Sequence, residues 1–132
     1  MAANPCPAHA LVPDAELDAV FARLLTIAAP AATCHPGRPL HDLPNSVPGF
    51  CSNQLTTADQ LTVPDPRPAL RRIHVPTLVL RGICDYKNPA IAREYAEVLP
   101  DATLVTIRGT GHLIDAEQPG RHRGLVIRLL QR

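Results

Sequence analysis

The sequence predicts an α/β fold built on parallel strands, and two observations carry that expectation. Residues 66–132 set apolar, β-branched runs and helical patterns in the order strand, helix, strand, helix, which is the grammar of parallel strands joined by a right-handed crossover. Proline then separates the two halves: 11 of the 15 prolines fall in residues 1–70 and four in residues 71–132.

In the first half, "PDAELDAVFARLLTIAAP" predicts one helix. It starts at Pro13 or Asp14, carries Leu17, Val20, Phe21, Leu24 and Leu25 at three- and four-residue spacing, and ends at Pro30. The stretch from Thr33 to Pro64 mixes Pro, Gly, Asn and Ser with scattered apolar residues and predicts irregular chain with a short helix near residues 53–60. "DPRPALRRI" then opens a short helix with Asp65 as its N-cap, and "VPTLVLRG" is a strand apolar enough to be covered on both faces. "NPAIAREYAEVL" follows as a helix with Pro89 in its first turn, "ATLVTIRG" as a second strand and "EQPGRHRGLVIRLLQR" as a last helix. No further strand of this quality occurs in residues 1–70, so the sheet is expected to be incomplete.

Composition removes several classes of function. Lys and Arg number 13 against 12 Asp and Glu, with no basic run, so no nucleic-acid or anionic-membrane partner is expected. The longest apolar runs are far shorter than the roughly 18–20 residues that span a bilayer, and no basic-then-apolar leader opens the chain. These features predict a soluble, cytoplasmic protein of one compact unit, or part of a larger one. The four cysteines, Cys6, Cys34, Cys51 and Cys84, lie 28, 17 and 33 residues apart with no C-x-x-C pair, which argues against a metal site and predicts free thiols. Cys34 beside His35 offers a thiol dyad on paper, but sequence neighbours rarely aim at one another.

Two polar residues fall at the carboxyl ends of the strands, where open parallel sheets gather their chemistry. Asp85 lies three residues past Gly82, and His112 closes the "GTGH" turn, 27 residues later. Taken alone, each could be a turn residue bonded to backbone. Together they are an Asp that can orient a His and a His that can take a proton. His9, His35, His41, His74 and His122 form no such constellation, and Asp115 and Glu117 are expected to cap the last helix.

From Pro66 onward the chain resembles the C-terminal end of an α/β-hydrolase. "ALRRIHVPTLVLRGICDY" resembles the strand and turn of that superfamily's acid, and "ATLVTIRGTGHLIDAEQP" the strand and turn of its histidine. Within it, "PGFCSNQ" and "VLRGICDY" with "AREYAEVLP" are similar to prolyl aminopeptidase-like (proline iminopeptidase) members. The resemblance implies the C-terminal βαβα part of an α/β-hydrolase fold behind a partial helical cap, with residues 1–65 as cap and 66–132 as core segment. It implies a serine-type aminopeptidase or esterase with Asp85 and His112 as catalytic acid and base, and no cofactor or metal. Ile83 stands where the G-x-x-D turn often carries Glu. No G-x-S-x-G elbow occurs, and neither Ser46 nor the Cys51–Ser52 stretch has the flanking glycines. The strands, nucleophile and oxyanion hole are therefore expected to lie upstream of this sequence, and the chain alone is expected to be inactive. A small-molecule or peptide substrate would bind only once an upstream half completed the site. The competing expectation is a non-enzymatic remnant or interaction module, which self-associates or binds a partner chain at its sheet edge.

Overall fold

The computed structural model describes residues 6–38 and 49–131. The readings of His41 as a loop histidine and of Ser46 as a serine without an elbow fall outside the described residues. The chain forms two units rather than one: residues 6–28 with 49–65, and residues 29–38 with 66–131.

The first unit is helical. A 3-10 turn over Pro7–Ala10 precedes α1, Asp14–Ala28, and α2 covers Phe50–Gln60. The apolar stripe of α1 is used on one side only. Leu17, Phe21 and Leu25, four residues apart, are half-buried, whereas Val20, Leu24 and Ile27 are exposed. Phe21 meets Phe50 edge to face with ring centroids 5.8 Å apart, an arrangement worth about 0.5–1.5 kcal/mol beyond its buried area. Asp18 Oδ1 on α1 accepts the Phe50 N–H at 2.7 Å and so satisfies an orphan donor at the start of α2. Cys6 is bonded to Cys51, which fastens the chain before α1 to the first turn of α2.

The second unit holds the sheet. Short α3, Arg67–Leu70, has Pro66 at its N-cap with no side-chain cap, so the expected Asp65 cap is corrected: Pro at the start presets the turn without one. β1, Thr77–Gly82, and β2, Ala102–Ile107, pair in parallel from Thr77 opposite Ala102 to Gly82 opposite Ile107. Between them runs α4, Pro89–Val98. Its N-cap is Asn88, whose side chain accepts the Ala90 N–H, and its first residue is the expected Pro89. The single last helix divides into α5, Ile114–Glu117, and α6, Pro119–Leu130, because Pro119 cannot extend a helix that is already running.

Among the described residues the sheet has two strands, incomplete as the sequence predicts. With one neighbour each, β1 and β2 are mostly half-buried, not covered on both faces. The deepest burial lies where the strands end: Ile107 and Thr110 are wholly enclosed, with Ile114 and Ala116 beside them.

Candidate functional site

Three backbone segments converge at the carboxyl ends of β1 and β2. The Ile83 N–H donates to the Ile107 carbonyl and the Cys84 N–H to the Thr110 carbonyl, which carries the parallel pairing past the strands and joins the two turns. Gly82 and Gly111 permit this approach: a Cβ on Gly82 would collide with the Gly111 carbonyl, and one on Gly111 with the Ala32 carbonyl. Gly109 has φ +70°, a left-handed conformation that glycine adopts without steric cost. The glycines of "RGTGH" thus have separate uses, one to turn the chain and one to let another backbone in. The third segment is the stretch after the 3-10 turn Ala29–Ala32, where the Ala32 carbonyl accepts the His112 N–H at 2.6 Å.

This convergence brings together the two residues that the sequence singled out. His112 Nδ1 lies 3.1 Å from Asp85 Oδ2 and 3.2 Å from Oδ1. With the proton on Nδ1, the imidazole donates to the carboxylate. Nε2 then has no hydrogen-bond partner among the described residues. The Asp85 side chain is 11% exposed and that of His112 43%, so the carboxylate is sheltered and the imidazole faces outward. The Lys87 N–H donates to Asp85 Oδ1 at 2.9 Å and fixes the carboxylate within its own turn. Burial alone would raise the Asp85 pKa. The Lys87 N–H, the hydrogen bond and charge of His112 and the nearby Arg81 outweigh it, so the carboxyl sits below its ordinary value. Tyr86 adds a ring 5.0 Å from the imidazole.

Two expectations about neighbouring residues are corrected. The four cysteines are not free: Cys34 is bonded to Cys84 and Cys6 to Cys51, at separations of 50 and 45 residues. Such pairing is decided by which turns meet in space, which sequence spacing cannot show. Cys34 is therefore no thiol partner for His35; it ties the 32–34 segment to the residue before Asp85. Nor does Glu117 cap the last helix. Its Oε2 accepts the Gly111 N–H at 2.5 Å and its Oε1 the Cys34 N–H at 2.9 Å. The following residue, Gln118, donates from Nε2 to the Arg108 carbonyl at 2.7 Å. Of the other histidines, His9 pairs with Asp14 at 2.7 Å in the first unit, and His35 Nδ1 lies 3.9 Å from Glu117.

Two parallel strands joined through α4, with their turns meeting at the carboxyl ends and the last helices following, have the βαβα order of part of an α/β-hydrolase fold. Two solved structures are similar to parts of this chain. A serine hydrolase involved in carbazole degradation, the CarC enzyme, is 22% identical over 62% of this chain and 32% of its own, with a TM-score of 0.53. MenH from S. aureus is 33% identical over 52% of this chain and 26% of its own, with a TM-score of 0.49. The matches thus span no more than about a third of either of these chains. No family model and no curated protein matches the sequence. No helix among the described residues is long and apolar enough to cross a membrane.

Proposed function

We propose that this chain carries the acid–base half of a serine-type hydrolase centre. Asp85 holds the His112 imidazole in one tautomer and stabilises the imidazolium; His112 Nε2 takes the proton of an attacking serine and returns it to the leaving group. The observation that carries this reading is the contact of His112 Nδ1 with both oxygens of a sheltered Asp85 carboxylate. The serine comes from polypeptide outside this sequence, which contains no G-x-S-x-G elbow. The resemblance of "PGFCSNQ" and "AREYAEVLP" to prolyl aminopeptidase-like proteins favours an aminopeptidase, with an ester as the simpler alternative substrate.

The test has two arms. The purified chain alone is expected to turn over neither aminoacyl-arylamides nor short esters above a His112→Ala control. Joined behind a segment that supplies strands, oxyanion hole and G-x-S-x-G serine, it is expected to gain a turnover that His112→Ala or Asp85→Asn lowers by on the order of 10⁴-fold. Turnover in the joined protein that ignores both substitutions would overturn the reading.

A second reading, a non-enzymatic module that binds another chain, draws on the apolar surface: Ile73, Val75, Ile91 and Ile127 of the second unit are all exposed. It is separated from the first by the same measurement, since a binding module gains no His112-dependent turnover.

A further inference from the structure

Glu117 is a carboxylate that the proposed chemistry does not use, yet its side chain is only 7% exposed. An ionised group is held in such a place only when its oxygens are paired. Here both accept from backbone N–H groups next to the site, and His35 Nδ1 lies 3.9 Å from Oε1. Oε2 takes the N–H of Gly111, the residue before His112, and Oε1 takes the N–H of Cys34. Cys34 is bonded to Cys84, the residue before Asp85. One carboxylate therefore closes a circuit that runs from the histidine turn through the 32–34 segment to the aspartate turn. The His112 N–H to the Ala32 carbonyl is its second strut.

We infer that Glu117 is a positioning residue, which holds the His112 turn in register with the Asp85 turn so that Nδ1 meets the carboxylate. This rests on the acid–base reading of the pair, and it identifies what fixes the pair's geometry. Charge-assisted bonds to two N–H groups suit the task, being short and roughly twice as strong as neutral ones. A glutamine at this position keeps one acceptor oxygen but turns an NH₂ toward the other N–H, so one of the two backbone donors loses its partner.

The experiment reads the Asp85 carboxyl by carbon-detected NMR titration in the disulfide-bonded chain. In Glu117→Gln its pKa is expected to rise toward the ordinary value, because the imidazole is no longer held against it, while amide protection in β1 and β2 is kept. The sign is diagnostic. Removing a nearby negative charge without moving His112 would make Asp85 ionise more readily and lower its pKa. In a His112→Ala background the same substitution is expected to cause no rise, which shows that the effect passes through the imidazole. Asp115→Asn, an exposed neighbour on α5, serves as the control and leaves the titration unchanged. Should Glu117→Gln fail to fold, Glu117→Asp keeps the charge but is one methylene shorter, and is expected to give a smaller rise. An unchanged or lowered Asp85 pKa in the folded Glu117 variant, or the same rise without His112, overturns the inference. Neither result depends on turnover, so failure of the hydrolase reading would show separately, as a joined protein whose activity ignores His112.

Discussion

Asp85 shows how one residue's surroundings become a measurable property of the chain. Its pKa is lowered on folding, so the folded state binds this proton less readily than the unfolded one. The resulting stabilisation is fully present above the ordinary value of 3.8 and is lost as the pH falls from there through the lower folded value. Denaturant unfolding between pH 5 and pH 2 is expected to show a shallower acid decline in Asp85→Asn than in the parent. A second expectation at this scale concerns Gly82, where an added Cβ meets the backbone of Gly111, which has no flexible end to yield. Gly82→Ala is expected to cost about 1–3 kcal/mol, the usual range for overpacking, and to separate the two turns. An unfolding midpoint equal to the parent's would contradict the close approach. Asp85 and His112 were legible as a pair in the sequence because each lies in the turn that closes an apolar run. Glu117 was not, because an acidic residue near a helix start reads equally well as a cap.

Element by element, the residues from Pro66 on follow their own patterning. The strands at Thr77–Gly82 and Ala102–Ile107 and the helix at Pro89–Val98 lie where an apolar run, β-branching and Pro at the first turn predict them. Asn88 caps α4 with its side chain, and Asn88→Ala is expected to lower stability by about 1 kcal/mol, measurable by denaturant unfolding. The cysteines obey no such local rule. Cys6–Cys51 acts within the helical unit and Cys34–Cys84 within the sheet unit. Titration of the denatured, non-reduced protein is expected to find no free thiol, and reduction to remove about 2–4 kcal/mol per bond. Detection of thiols without a reductant would show these pairs open.

On the scale of the whole molecule, the buried apolar set among the described residues is small: Cys6, Val98, Ile107, Ile114 and Ala116. Large side chains such as Leu24, Ile27, Leu61 and Leu130 stay in solvent. The chain alone is accordingly expected to bind an apolar-surface dye, and joining it to the serine-bearing segment to reduce that fluorescence. Undiminished dye binding in a joined protein that has gained activity would show that this surface serves another partner.

The sequence by itself determined the α/β order of the second half, the strands and helix that carry the site, and the two residues that meet there. These follow from local periodicity and turn chemistry, which act over a few residues at a time. Only the tertiary structure decided that the 32–34 segment joins the two turns, that Cys34 finds Cys84, and that Glu117 bridges Gly111 and Cys34. Those contacts link residues up to 83 positions apart. Their partners are chosen by which backbones the glycines allow to touch, and no local pattern carries that information.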